Sequence, residues 1–386
     1  MQEKQIFPLG FGAGRLPEVE IRGKMYPQQD KIDEMFRYAY EHGINYYDSA
    51  PLYCSCHCEA AVGSAVKEFR KEIFLAGKLQ GEETKAGNHR RALEKTLDNL
   101  QTDYLDYYYF WGINRYFFDE YMVNKNTLRD VFRYREEGLI RNIAFSFHGK
   151  PEEIGYIIDR AEALGMPFDA CLIQYNMLER KNEEMIAYAH KKKIRTFAMG
   201  PGGGGRLAVP SDLYQRLTGK KTMATYELAL RFVMGNPDMD CTLSGMENLK
   251  MVKENIAVAE QIKEGKTSEW ANIHAAFSQL KKLGELYCTG CKYCQPCPQG
   301  IQIHDIFKCY TYHNVYGLSG YAKGAYLEYI RRGGKYYADC LNCGKCEERC
   351  PQKLDIRKEL KRIDEVLRNI VQEEYHYNEH DHGEYL

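Results

Sequence analysis

The sequence has almost no net charge, since 53 lysines and arginines stand against 54 aspartates and glutamates. A balanced chain without a long basic run has no field that attracts nucleic acid or an anionic membrane, so neither is expected as a partner. The chain also lacks the roughly 18 consecutive apolar residues of a spanning helix. Its first residues, MQEKQIFPLGFG, lack an apolar stretch of signal-peptide length. These absences predict a soluble, cytoplasmic protein.

A dinucleotide-binding fingerprint is also missing. The run LGFGAGRLPEVE has no third glycine placed to open a helix, and Pro17 follows at once. The three glycines that are present, Gly10, Gly12 and Gly14, are better explained as leaving room at the mouth of a barrel.

Short β-rich runs alternate with helical patterns up to about residue 262. The helical segments carry apolar residues on one face and end in glycine. One such face is Ile32, Met35, Phe36 and Ala39, and another is Ile154, Ile157, Ile158 and Ala161. Eight runs read as strands: FPLGFGAG, NYYDSA, EIFLAGKL, YLDYYYFWGI, RNIAFSFH, ACLIQYN, RTFAMGP and DCTLSGM. This alternation of strands and helices predicts the α/β fold class, with a TIM-type (β/α)8 barrel over residues 1–262. A doubly wound open sheet is the alternative.

The composition changes sharply after the predicted barrel. Residues 263–287 are predicted to form a polar linker and a helix. Residues 288–370 are predicted to form a small, mostly helical, ferredoxin-like domain. Residues 371–386 form a polar tail, whose histidines fit a solvated end better than a metal site.

Eight of the 14 cysteines fall in two tight clusters in this C-terminal part. In a reducing compartment such clusters indicate metal ligands rather than disulfides. The segment CLNCGKCEERCP has the C-x2-C-x2-C-x3-C-P spacing of bacterial ferredoxins, and CTGCKYCQPCP is close to it. The ligands fall into two predicted sets, one for each 4Fe-4S cluster: Cys288, Cys291, Cys294 with Cys350, and Cys340, Cys343, Cys346 with Cys297. A pair of zinc sites and a single intact cluster are the alternatives.

Three polar residues end neighbouring predicted strands. Asp48 and Tyr53 follow the second strand, and Lys78 ends the third. A lysine ammonium beside a tyrosine stabilises the phenolate and lowers the pKa of the tyrosine, while an aspartate holds the lysine in place. The three residues together predict a proton relay for a carbonyl group.

The motifs DSAPLY, LAGKL, IQYNML and LSGMENLKMVKEN resemble the aldo/keto reductase superfamily over residues 5–262. With its cysteine-rich tail, the chain is similar to the subgroup of anaerobe reductases that carry a ferredoxin-type domain. The resemblance implies hydride transfer between a nicotinamide cofactor and a carbonyl or alcohol, with Tyr53 as proton donor. It also implies cofactor contacts from Ser146, Gln174, Met199, Gly202, Gly203, Gly204, Gly205, Lys250 and Asn255.

The chain departs from the family pattern at three places. Trp111 stands where the family has a catalytic histidine, so either its indole N–H orients the carbonyl or the chemistry has changed. Met199 stands where many members stack a tyrosine on the nicotinamide. Gly245 and Met251 replace basic residues that grip a 2'-phosphate, which leaves the cofactor as NADP(H) or NAD(H).

Three more cysteines follow the relay, namely Cys54, Cys56 and Cys58. Free thiols at a pocket mouth are the favoured interpretation, and a metal site with His57 is the alternative. Cys171, Cys241 and Cys309 are expected to pack as small apolar residues.

The sequence therefore predicts an oxidoreductase, with an external electron carrier as a candidate partner for its clusters. The alternatives are an electron-transfer or docking protein with a catalytically altered barrel, and an enzyme with another redox group in the barrel.

Overall fold

The computed structural model describes residues 5–177, 179–203, 207, 224–262, 270–276, 278, 294–314, 317–350 and 354–372. The chain forms two compact units. Met1–Gly203 and Ala229–Trp270 make the first, and Gly204–Leu228 and Ala271–Leu386 make the second.

The first unit contains a closed barrel of eight parallel strands, which confirms the barrel prediction over the open sheet. Each strand is hydrogen-bonded to the next along the chain, and the first pairs with both the second and the last to close the ring. The eight strands are β1 (Leu9–Gly12), β4 (Tyr46–Asp48), β5 (Phe74–Leu79), β6 (Leu105–Ile113), β7 (Ile140–Phe147), β8 (Ala170–Gln174), β9 (Arg195–Met199) and β10 (Cys241–Gly245). All eight predicted runs therefore overlap a barrel strand, and β7 begins one residue before its predicted run.

Helices follow most of these strands. They are Gln29–Glu41, Cys58–Val66, Gly81–Ala86, His89–Leu100, Arg115–Phe117, Thr127–Glu136, Pro151–Ala163, Glu183–Lys191, Thr225–Gly235 and Leu249–Ile262. The buried residues of Gln29–Glu41 and of Pro151–Ala163 are the two apolar faces predicted from the sequence. Gly43 and Gly165 follow these helices in the left-handed region, at φ 97° and 69°.

The barrel interior is rich in tyrosine. Tyr46, Tyr107 and Tyr109 are buried beside Phe197, and the hydroxyl oxygens of Tyr46 and Tyr109 lie 2.7 Å apart. The hydrogen bond satisfies two buried hydroxyls that would otherwise destabilise the core. Cys171, Cys241 and, in the second unit, Cys309 are buried as predicted.

A two-stranded antiparallel hairpin precedes the first barrel helix. It consists of β2 (Glu18–Ile21) and β3 (Lys24–Pro27), and the sequence reading missed it. The turn between them, Arg22 and Gly23, has positive φ at both residues. An X-Gly pair between alternating residues is the signal that identifies such a turn.

The second unit is helical. Its helices include Ile303–Asn314, Ser319–Arg331, Lys345–Glu348 and Ile356–Gln372. One apolar cluster holds them together: Ile301, Ile303, Ile306, Phe307, Cys309, Tyr310, Tyr326, Cys350, Ile356, Leu360, Ile363, Leu367 and Ile370. Within the described part of the chain, no helix is both long and apolar enough to cross a membrane.

Candidate functional site

The carboxyl ends of the parallel strands meet at one mouth of the barrel, where β4 and β5 bring Asp48 and Lys78 together. Lys78 Nζ donates to both carboxylate oxygens of Asp48, at 2.6 and 2.5 Å, and to the Ser49 carbonyl oxygen at 2.9 Å. Both side chains of the pair are buried. The same ammonium lies 5.1 Å from the centroid of the Tyr53 ring. The three predicted relay residues therefore converge.

The net effect of this environment on Tyr53 differs from the expectation. The Lys78 ammonium acts to lower the pKa of Tyr53, as predicted. Burial and the Asp48 carboxylate act in the opposite direction and outweigh it, so the pKa of Tyr53 is raised above its usual value. Burial acts to lower the pKa of Lys78, but Asp48 and Tyr53 raise it overall, so Lys78 is an ammonium at neutral pH. Tyr53 is thus a protonated phenol facing a fixed positive charge.

Trp111 contacts the relay through Tyr53. Their rings lie 5.6 Å apart in an edge-on arrangement. In the pairing of β6 with β7, Phe110 lies opposite Phe145 and Ile113 opposite Phe147, so Trp111 and Gly112 together face Ser146. This is a β-bulge, a device that redirects side chains at barrel rims. Gly112 adopts the positive φ of 70° that the bulge needs.

Ser146 supports this bulge. Its hydroxyl oxygen accepts a 2.8 Å hydrogen bond from Gly112 N–H, and its side chain is buried. The Gly112 bond uses one acceptor site of the hydroxyl, so its proton and a second acceptor site are left for the predicted cofactor contact. Sequence reasoning gave Ser146 one role, and the structure adds the positioning of Trp111.

Gln174 ends β8 at the same mouth. Its amide nitrogen donates to Glu179 at 2.8 Å, and its amide lies against Gly200. Asn176 donates to the Gly200 carbonyl oxygen at 2.9 Å, which pins the loop after β9 to the Gln174 segment. Met199, the last residue of β9, pairs with Gln174 in the sheet.

The remaining predicted cofactor residues are dispersed. Gly202 and Gly203 lie in the turn after β9, where Gly203 N–H donates to the Gly200 carbonyl oxygen at 2.9 Å. Gly204 and Gly205 lie outside the described residues. Lys250 is exposed at the start of the helix Leu249–Ile262. Asn255 on that helix is buried and donates to the hydroxyl of Ser244 at 3.0 Å. Asn255 therefore fastens the helix to β10 in this structure.

Sequence reasoning missed a cation at the mouth, Arg15. It lies against Gly245, where an added β-carbon would meet Arg15 Cδ at 3.2 Å. Its guanidinium pairs with Glu247 at 3.3 Å. Arg15 follows β1 in sequence, so no local motif connects it to the loop after β10.

Two of the three cysteines after Tyr53 are buried thiols. Cys54 and Cys58 both donate to the Ala13 carbonyl oxygen at 3.4 Å. The interaction between the two thiols lowers the pKa of Cys54 and, with burial, raises the pKa of Cys58 well above its usual value. Cys56 is exposed. His57 stacks on Tyr26. The contacts of His57 therefore differ from those of Cys54 and Cys58, and the three side chains do not share a partner.

The backbone carrying these cysteines is strained. Cys54, Ser55 and Cys56 have φ of 47°, 53° and 70°, which is a short left-handed run without glycine. The left-handed conformation costs roughly 1–2 kcal/mol per residue. Strain of this kind persists where the surrounding structure holds it, as at functional sites, and here it directly follows Tyr53.

In the second unit, cysteines line a pocket. Among its lining residues are all four members of one predicted ligand set, Cys297, Cys340, Cys343 and Cys346, together with Cys294. Cys350 packs in the apolar core of the unit and does not line this pocket. Cys288 and Cys291 lie outside the described residues.

The pocket already contains a hydrogen bond to sulfur. Asn342 N–H donates to Cys340 Sγ at 3.4 Å, and Asn342 has a positive φ of 54°. Gln295 accepts a 3.0 Å hydrogen bond from Cys297 N–H, which orients the segment carrying that thiol. Within the described ranges, no three His, Cys, Asp or Glu side chains surround a single ion-sized point. The donor set fits a group of several atoms that accepts four thiolates and N–H donors.

Comparison with known proteins agrees with both units. The model of the aldo/keto reductase family matches residues 8–276, about 70% of the chain. The chain belongs to the aldo/keto reductase family. A 4Fe-4S dicluster domain matches residues 287–356. This reductase is therefore an oxidoreductase with a barrel domain and a C-terminal region of iron-sulfur type.

The relatives of this reductase are distant. The uncharacterized oxidoreductase YqkF of Bacillus subtilis is 24% identical over 60% of this chain and 83% of its own. L-galactose dehydrogenase of Arabidopsis thaliana is 23% identical over 67% and 86%. Among solved structures, an aldo-keto reductase from Klebsiella pneumoniae in complex with NADP and acetate is 20% identical, with a TM-score of 0.57, over 70% of this chain and 92% of that one. At this identity the structural likeness shows the fold alone.

Proposed function

We propose that this reductase interconverts a small-molecule carbonyl and its alcohol with a nicotinamide cofactor, and that it carries two 4Fe-4S clusters for electron transfer. The observation that carries the proposal is the buried Asp48–Lys78 pair with its ammonium facing the ring of Tyr53. A cytoplasmic location belongs to the same proposal, because thiolate ligands survive in a reducing compartment.

The relay residues have distinct tasks. Tyr53 donates its hydroxyl proton to the carbonyl oxygen as the alcohol forms, and takes a proton back in the reverse direction. Lys78 stabilises the phenolate that Tyr53 becomes after donating. Asp48 holds Lys78 in place through two hydrogen bonds. Trp111, whose ring lies beside Tyr53, would donate its indole N–H to the substrate oxygen, a role that needs no proton transfer.

The donor set at the barrel mouth fits a nicotinamide cofactor. Gln174 and Ser146 offer an amide and a hydroxyl to a carboxamide, and Arg15 offers a cation to a phosphate. When bound, the nicotinamide supplies two electrons as a hydride. Glu247 beside Arg15 is a hydrogen-bond acceptor suited to a ribose hydroxyl, so the chain has groups for NAD(H) as well as NADP(H).

The clusters imply a second electron partner. Cys340, Cys343, Cys346 and Cys297 would hold one cluster, and Cys288, Cys291, Cys294 and Cys350 the other. A nicotinamide moves two electrons together as a hydride, and the carbonyl would take up both. The clusters move electrons singly, so they would exchange them with an external one-electron carrier, separately from the hydride step.

The test is an anaerobic titration of the iron-replete protein with NADPH and then with NADH, following nicotinamide and cluster absorbance together. We expect binding of one or both nicotinamides and carbonyl reduction that needs Tyr53. Cluster bleaching as nicotinamide is oxidised would support electron transfer between them. Failure of both nicotinamides to bind would overturn the cofactor assignment, and Cys343→Ser serves as the control for signals that require the cluster.

A further inference from the structure

Arg357 lines the cysteine pocket, and both terminal nitrogens of its guanidinium make hydrogen bonds. It lies in the first turn of the long helix Ile356–Gln372, and its guanidinium donates to Glu347 at 2.7 Å. A second arm donates to the carbonyl and side-chain oxygens of Asn342, at 3.0 and 3.1 Å. The same Asn342 donates its N–H to Cys340 Sγ. Arg357 therefore holds the turn between two of the proposed cluster ligands.

The Nε–H group of this guanidinium differs from the N–H groups that bind Glu347 and Asn342. Arg357 Nε is buried and makes no hydrogen bond within the part of the chain that the structure describes. A charged N–H removed from water without an acceptor is strongly unfavourable. The side chain is fixed on both sides by Glu347 and Asn342, so it cannot turn Nε toward solvent without breaking those contacts.

We propose that Arg357 Nε–H donates a hydrogen bond to sulfur of the cluster held by Cys297, Cys340, Cys343 and Cys346, and so raises its reduction potential. The inference rests on the proposed cluster. Reduction adds negative charge to the cluster, and a charged donor at its sulfur stabilises the reduced form more than the oxidised form. Hydrogen bonds around metal ligands are a general means of tuning such groups.

The test is a potentiometric titration of the full-length protein, followed by electron paramagnetic resonance, in three variants. Arg357→Gln removes the charge and the Nε–H. Arg357→Lys keeps the charge and removes the planar Nε–H. The matched control is Lys358→Gln, which removes a charge from the next residue, an exposed position that does not line the pocket.

We expect one cluster potential to become more negative in Arg357→Gln and, by a smaller shift, in Arg357→Lys, with the other cluster unchanged. Lys358→Gln should leave both potentials at their original values. A wild-type potential in Arg357→Lys would overturn the hydrogen bond and leave only the charge. Absence of iron and sulfide from the wild-type protein would instead overturn the proposed function, so the two failures are distinguishable.

A second measurement covers the case in which the Arg357 variants lose their cluster. The wild-type protein is labelled with heavy-nitrogen arginine, and the reduced cluster is examined by electron-nuclear double resonance. A nitrogen coupling from arginine supports the hydrogen bond, and its absence contradicts it.

Discussion

Lys78 Nζ lies 2.6 and 2.5 Å from the two carboxylate oxygens of Asp48, with the side chains 1% and 5% exposed. Neither charge can exchange its partner for water, so the pair is a fixed element of the barrel mouth. Its consequence is a permanent ammonium against Tyr53, held there whether or not substrate is bound.

Removing one member of this pair should destabilise the barrel as well as stop turnover. Lys78→Met leaves Asp48 buried and unpaired, for which we expect a loss of about 3–5 kcal/mol in unfolding free energy. The measurement is denaturant unfolding together with carbonyl reduction. In the double variant Lys78→Met with Asp48→Asn, stability should largely return while activity stays lost. Activity returning in the double variant would contradict the relay.

The raised pKa of Tyr53 predicts opposite pH profiles for the two directions of reaction. Lys78 lowers the pKa of Tyr53, but burial and Asp48 raise it by more, so the phenol stays protonated past its usual value of about 10. Carbonyl reduction needs the protonated form, so its rate should hold through neutral pH and fall only above pH 10. Alcohol oxidation needs the phenolate and should rise over the same alkaline range. Profiles of kcat/KM in both directions check this, and a fall in reduction near pH 7 would contradict it.

Trp111 should contribute a hydrogen bond rather than a proton. Trp111→Phe keeps an aromatic ring beside Tyr53 and removes the indole N–H. The activation free energy should therefore rise by about 0.5–1.5 kcal/mol, which lowers kcat/KM roughly 2- to 13-fold. Ser146→Ala serves as a related variant, because it removes the acceptor of Gly112 N–H and loosens the bulge that aims Trp111. Unchanged kcat/KM in Trp111→Phe would show that the indole N–H does not orient the carbonyl.

The three cysteines after Tyr53 should differ in reactivity. Cys56 is exposed, whereas Cys54 and Cys58 are buried on the Ala13 carbonyl oxygen. Brief alkylation followed by peptide mass spectrometry should therefore label Cys56 first, and the other two only after unfolding. Equal labelling of the three would show that the left-handed turn opens readily in solution.

Much of the barrel was predictable because its strands are short apolar runs and its helices carry one apolar face. Lys78 and Asp48 were predictable as a pair for the same reason, since parallel strands bring their carboxyl ends together. The bulge at Trp111 and Gly112 was not predictable. It depends on how β6 and β7 pair, and the sequence of one strand does not determine its register with the next.

The direction of the Tyr53 pKa shift could not be predicted from the sequence either. A lysine beside a tyrosine predicts lowering, but the outcome depends on how deeply the ring is buried and on where Asp48 lies. The left-handed turn at Cys54, Ser55 and Cys56 gave no signal, because none of the three is glycine or asparagine. The unpartnered Arg357 Nε likewise follows from the positions of Glu347 and Asn342 in space.

The measurement that tests the central claim most directly is carbonyl reduction by Tyr53→Phe at neutral pH, with iron and sulfide content matched to the wild-type protein. The account predicts that kcat falls by about 10²–10⁴-fold, since only the hydroxyl that donates the proton is lost, while the cluster spectrum stays the same. Turnover at the wild-type rate in Tyr53→Phe would contradict the relay and, with it, the proposed reaction of the barrel.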